Sequence, residues 1–130
     1  GKTTKALAEL VDLYPTLSTL AGIDGDLPKN LEGVSLAPVV IDPAATVQAA
    51  AFTQHQQPFY GPVSNWKAWG YSARTDRWRY TEWRSIADGS ALAVELYNHE
   101  KDPDETINVA AEHPDVVAVH SALLADQFGL

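Results

Sequence analysis

An α+β domain is the fold class that this sequence predicts, a small antiparallel sheet of three to four strands packed by a C-terminal helix. Three observations carry it. Residues 67–75 and 77–84 are rich in aromatic side chains and break at Thr75-Asp76, where one strand turns into the next. A third, mostly apolar run at 91–97 follows the turn signal Asp88-Gly89. Near the end, Val116, Val119, His120, Leu123 and Leu124 recur at i, i+3, i+4, i+7 and i+8, one helical face that would cover the sheet.

The other elements follow in order. Residues 8–11 read as extended. A helix is predicted over 13–21, with Asp12 as N-cap and Pro15 in its first turn, where backbone N–H groups are unpaired anyway. Leu13, Leu17 and Leu20 then share one face, and Gly22 stops the helix. Gly25, Pro28, Asn30 and Gly33 mark a loop over 23–33. One helical turn is predicted at 35–40, capped by Ser35 with Pro38 in its first turn, and Asp42-Pro43 starts another connection. Residues 49–54 alternate weakly and read as a strand, which leaves His55 at its end. Pro58, Gly61 and Pro62 make 56–64 an irregular loop holding Phe59 and Tyr60. In the strand 77–84, Trp78 and Tyr80 share one face, and Arg79, Thr81 and Trp83 share the other. Residues 98–106 are turn-like, and Pro114 opens the last helix with His113 or Glu112 near its cap.

A length of 130 residues is one domain on size alone, long enough to bury a real core. The apolar runs, such as Val39-Val40-Ile41, are far short of the roughly 20 residues that a membrane-spanning helix needs. Seventeen acids against nine bases give a net charge of −8, which argues against general nucleic-acid binding. The absence of cysteine excludes disulfides, thiolate metal sites and a cysteine nucleophile. With no methionine, the sequence is expected to be a piece: a processed product, an expressed fragment or a truncated gene call.

Few motifs suggest chemistry. Gly1-Lys2-Thr3 resembles the tail of a phosphate-binding loop but lacks the upstream glycine and strand. Asp102, Asp104 and Glu105 suggest calcium, yet counting from Asp102 puts Ile107 and His113 where an EF-hand loop needs glycine and glutamate, so a turn is the better account. No two histidines stand at i, i+4, which removes a helical zinc pair. His55, placed before an aromatic loop, is the histidine that best suits a ligand contact. Lys67, Arg74, Arg77, Arg79 and Arg84 crowd the first two strands of the meander. They either meet an anionic ligand, which guanidinium binds bidentately, or pair with the acidic 95–105 stretch.

Four stretches, in order, resemble the C-terminal part of a sulfatase, most closely the iduronate-2-sulfatase-like group of the alkaline-phosphatase-like superfamily. They are Glu9-Leu-Val-Asp-Leu-Tyr-Pro-Thr-Leu-Ser-Thr-Leu-Ala-Gly-Ile23, Leu31-Glu-Gly-Val-Ser-Leu-Ala-Pro38, Gly70-Tyr-Ser-Ala-Arg-Thr-Asp-Arg-Trp-Arg-Tyr-Thr-Glu-Trp83 and Glu95-Leu-Tyr-Asn-His-Glu-Lys-Asp-Pro-Asp-Glu-Thr-Ile-Asn-Val-Ala110. The resemblance implies that residues 1–41 are the tail of a large α/β catalytic domain plus a connecting loop, the first helix belonging to that domain. Residues 42–130 would be the C-terminal subdomain. Family catalysis uses a formylglycine made within Cys/Ser-x-Pro-x-Arg, and a calcium ion that withdraws charge from the sulfate. This chain has no cysteine and no serine followed by proline two positions on, so no catalytic or metal residue carries over. The calcium and formylglycine would belong to the parent.

The expected role is a non-catalytic one: completing the fold of a sulfate ester hydrolase and lining its cleft, with the N-terminal catalytic portion and a sulfated carbohydrate as partners, and neither nucleic acid nor membrane. The family suggests a periplasmic, extracellular or lysosomal setting. The substrate-facing part is expected at 54–66, with His55, Tyr60 and Trp66 as candidate sugar contacts and Lys67 for a sulfate or carboxylate. A competing reading has Phe59, Tyr60 and Trp66 merely packing over a sheet edge. Two other readings of the whole chain stay open: a stand-alone module binding an anionic glycan, and a non-functional truncation.

Overall fold

The computed structural model describes all of residues 1–130 and divides into two compact units, Gly1–Ala51 and Phe52–Leu130. The first unit is built on helix α1, Leu13–Ala21, and the shorter helix α2, Ala37–Ile41. Gly22 ends α1 in the left-handed region at φ 71°, which lets the Ile23 N–H reach back to the Ser18 carbonyl at 3.0 Å.

Three details of this unit differ from the sequence expectation. Residues Leu10–Asp12 are a turn of 3-10 helix, not extended chain. Asp12 does not cap α1 with its side chain; its carboxylate accepts the Glu9 N–H at 2.8 Å and the Val34 N–H at 2.9 Å. The reason is long-range. Asp12 is buried, and the Leu31–Pro38 stretch folds back over it: the Leu36 N–H bonds Thr16 Oγ1 at 2.8 Å, and Gly33 lies so close to the Val11 carbonyl that no Cβ fits there. Two of the four resembling stretches are thus stitched to each other. Helix α2 begins slightly later than expected, with the Ser35 hydroxyl accepting the Ala37 N–H at 3.3 Å.

In the second unit the strands run in the order β1 (Ala51–Gln57), β2 (Ala68–Arg74), β3 (Trp78–Ser85) and β4 (Ala91–Asn98), an antiparallel meander. Strand β1 runs past residue 54, so His55 lies inside the strand and not at its end. The ladder continues as far as Gln57, whose carbonyl accepts the Lys67 N–H at 2.8 Å. Thr75 closes the β2–β3 turn with its N–H on the Trp78 carbonyl at 2.8 Å.

One face of the sheet packs on helix α3, Pro114–Phe128, through Ala73, Tyr80, Leu96 and Leu124, with Phe52 and Tyr71 against Phe128. His120 is buried there as expected, its Nδ1 on the Val116 carbonyl at 2.9 Å. Val119 is not part of this face but exposed. The stripe centres on Leu124, and at about 100° per residue Val119 stands about 140° round the helix from it.

The outer edge of β4 meets a side chain. Asn108 accepts the Leu96 N–H at 3.0 Å and donates to the Val94 carbonyl at 3.1 Å. Before it, Asp102 organises the 98–107 turn by accepting the N–H groups of Thr106 and Ile107, each at 2.8 Å. These bonds, led by that of Ile107, hold its carboxyl below the usual aspartate range. A depressed carboxylate contributes above its unfolded pKa, about 3.9, and its contribution is lost as pH falls through the lower folded value. The Thr106 and Ile107 amide shifts, followed by NMR, are therefore expected to titrate with a midpoint below that of an ordinary aspartate. A midpoint at or above it would remove the turn bonds from solution.

Candidate functional site

In-register pairing places Gly70, Ser72 and Arg74 of β2, Arg79, Thr81 and Trp83 of β3, and Glu95 and Tyr97 of β4 on the face opposite α3. The arginines of this region are largely committed to carboxylates. Arg79 Nε lies 2.6 Å from Glu105, Arg77 Nε 3.2 Å from Glu100, and Arg84 Nη2 2.6 Å from Glu82. Burial and the nearby Arg79 lower the Arg74 pKa. Pairing within the chain, rather than a run of open cations, describes these strands. Glu105 also takes His99 Nε2 at 2.6 Å.

The expected ligand-facing residues fall into two aromatic groups. His55 is half-buried, its ring crossing Trp83 at 80° with centroids 5.0 Å apart and meeting Phe59 at 6.2 Å. Phe59 in turn meets Tyr60 at 4.8 Å, and Tyr60 is 85% exposed. His55, Phe59 and Tyr60 therefore form one chain of rings. Trp66 belongs to another group, edge-on to Trp69 at 5.3 Å, with its indole N–H buried and unpartnered. The Lys67 backbone closes the loop onto β1, while its ammonium makes none of the ion pairs. An exposed tyrosine, an imidazole edge and an unpaired lysine are groups that hydrogen-bond hydroxyls and anions.

Sequence reasoning named His55 but not its closest ring neighbour. Trp83 spans the open face: its Nε1 donates to Glu95 Oε1 at 3.1 Å, and the Tyr97 hydroxyl donates to Glu95 Oε2 at 3.1 Å. Strand alternation already put Arg79, Thr81 and Trp83 on one face. The missing signal was the strand register: the order β1-β2-β3 with Gly70 opposite Trp83 lets the indole reach His55 across a glycine, and the β3–β4 pairing sets Glu95 opposite Thr81.

No three histidine, aspartate or glutamate side chains converge as a ligand set. The Asp102 carboxylate, the nearest sequence candidate, is occupied by its own turn. The residues present do not fit a calcium site, and no step through that ion or a formylglycine is assigned to this chain.

No protein-family model matches the chain. Arylsulfatase K of Rattus norvegicus is 38% identical over 116 residues, 85% of this chain and 19% of that protein. The Homo sapiens arylsulfatase K is 33% identical over 122 residues, 89% of this chain and 21% of that protein. The chain thus spans about a fifth of the length of the curated relatives it matches. A Bacteroides fragilis protein assigned to the sulfatases has the same fold, with a TM-score of 0.75 at 22% identity over 91% of this chain and 24% of its own. A Bacteroides thetaiotaomicron protein with the same assignment gives 0.69 at 30% identity over 88% of this chain and 23% of its own. A third, solved with its substrate D-glucosamine-2-N,6-O-disulfate, gives 0.67 at 24% identity over 89% of this chain and 23% of its own. The arylsulfatase K name does not specify the iduronate-2-sulfatase-like group. A helix-backed four-stranded sheet shared with these structures, and a sequence related to arylsulfatase K along most of its length, make this chain a member of the sulfatases, corresponding to their C-terminal portion.

Proposed function

We propose that the chain is the C-terminal part of an enzyme that hydrolyses sulfate esters of sulfated sugars, within the iduronate-2-sulfatase-like group. It completes the fold and lines one wall of the cleft. The observation that carries this reading is the relation to arylsulfatase K over 85% of the chain but only 19% of the relative. Nucleophile and calcium then fall to the N-terminal catalytic portion. The first unit offers that portion a surface: Leu10 is 87% exposed, and Leu13, Leu17, Leu20 and Ile23 are exposed beside it. Sugar as the substrate class is supported by the aromatic and hydrogen-bonding character of the 54–67 region.

The test has two parts. The isolated chain is expected to turn over no chromogenic aryl sulfate, with or without calcium, and activity is expected only when the N-terminal portion is present. Calcium-dependent turnover by the repurified chain alone would overturn the reading. In the longer enzyme, His55→Ala and Lys67→Ala are expected to lower kcat/KM on a sulfated sugar about tenfold more than on a small aryl sulfate, the effect of one charged hydrogen bond of roughly 1.5–3 kcal/mol. An unchanged sugar-to-aryl ratio in both variants would make the loop structural.

A further inference from the structure

We propose that Trp83 is a positioning residue for His55, fixing its ring so that Nδ1 carries the proton and Nε2 is left as the group offered to a sugar. This rests on the reading of the 54–67 region as substrate-facing and names the device that prepares it.

The indole is held at two points. A Cβ built on Gly70 would lie 2.8–3.0 Å from its benzo carbons, so the ring rests directly on the β2 backbone. Its Nε1 is tied to Glu95 at 3.1 Å, and that carboxylate is tied to the Tyr97 hydroxyl at 3.1 Å. A tryptophan so restrained is a fixed wall. His55 stands against it at 5.0 Å and 80°, with Phe59 at 6.2 Å as a second ring contact. Crossed rings at such distances attract edge to face, which restricts rotation of the imidazole.

The restricted orientation brings Nδ1 to 3.3 Å from the Gln56 carbonyl. A carbonyl only accepts, so the bond requires the proton on Nδ1. In the neutral ring Nε2 then carries a lone pair and accepts from a hydroxyl. In the charged ring it donates to an anion. The ring nitrogen that meets the substrate is therefore selected from across the sheet, by residues on β2, β3 and β4.

The tautomer is readable without turnover. In the full 130-residue chain, with histidine labelled by 15N, the neutral His55 side chain is expected to show the Nδ1–H form as its major species. Trp83→Phe keeps a ring but loses the tether. It is expected to return His55 toward the Nε2–H form that free histidine favours in water, changing the tautomer ratio by up to about tenfold, the effect of one neutral hydrogen bond. Glu95→Ala should do the same. Glu95→Gln, whose amide oxygen still accepts the indole N–H, should retain the native ratio. Amide shifts of Leu124 and Phe128 report whether the sheet and α3 stay packed; if Trp83→Phe disturbs them, the Glu95 pair decides. A native Nε2–H tautomer overturns the proposal, as does a ratio unmoved by both Trp83→Phe and Glu95→Ala. The measurement reads ring nitrogens, so it can fail while His55→Ala still shifts the sugar-to-aryl ratio, and it can hold where that ratio does not move.

Discussion

Replacing Glu82 with alanine is expected to destabilise the chain by about 3 kcal/mol, the lower end of the cost of breaking a buried ion pair. Glu82 is 3% exposed on the face that packs against α3. Its carboxylate is met by Arg84 Nη2 at 2.6 Å, the Tyr80 hydroxyl at 2.9 Å and the Ser121 hydroxyl at 3.1 Å. It is thus the polar link between strand β3 and helix α3. Burial, then the hydrogen bond to Glu82 and the Glu82 charge, push the Tyr80 phenol far above its usual pKa, so it remains a donor throughout the working range. Alanine removes the acceptor from two hydroxyls and leaves Arg84 without a counter-charge. The arginine retains some access to water, which places the loss at the low end of the range. Glu82→Gln, which retains one acceptor oxygen, should lose less. Urea denaturation at unchanged slope measures the difference. A loss under about 1 kcal/mol for alanine would show that the carboxylate is dispensable.

Asp12→Ala is the second large effect, expected at about 3 kcal/mol within the first unit. This carboxylate is 1% exposed, and the salt bridges of the structure do not include it. Its charge is held instead by the N–H groups of Glu9 and Val34 and by Gln48 Nε2 at 3.2 Å. Hydrogen bonds to a charged group are worth roughly 1.5–3 kcal/mol each, and donors stranded in the interior add to the loss. Asp12→Asn should retain the Val34 bond through its oxygen and surrender the acceptor facing Glu9. Hydrogen exchange at Val34 and Leu36, together with denaturation, separates the two variants. If alanine leaves both amides as protected as before, the Leu31–Pro38 stretch is held by something other than Asp12.

Local signals explain which parts were legible. The meander was readable because Thr75-Asp76 and Asp88-Gly89 punctuate runs of strand-forming residues, and α1 because Pro15 and Gly22 bracket it. The role of Asp12 was not, since Val34 and Gln48 lie 22 and 36 residues away and no local pattern points to them. The end of β1 was misplaced because two glutamines before Pro58 look like loop, although their backbone continues the ladder. The crowding of arginines was visible, but whether Arg77 and Arg79 faced a ligand or found an acid depended on where the Asp102 turn placed Glu100 and Glu105. At the candidate site, His55 drew notice through its neighbours in sequence. Trp83, its partner in space, is 28 residues further on and is reached only once the strands are registered.

Asn108 gives the sheet a closed margin. A strand that ends a sheet presents unpaired N–H and carbonyl groups that can recruit a strand from another molecule. By occupying the Leu96 N–H and the Val94 carbonyl with one amide side chain, Asn108 imitates the strand that would otherwise add there. The Val109 N–H continues the imitation on the Leu96 carbonyl at 2.9 Å. What stays open at that margin is the stretch of β4 before Val94. The loop after β4 thereby covers, without an additional strand, the part of the edge where a strand from another molecule would pair.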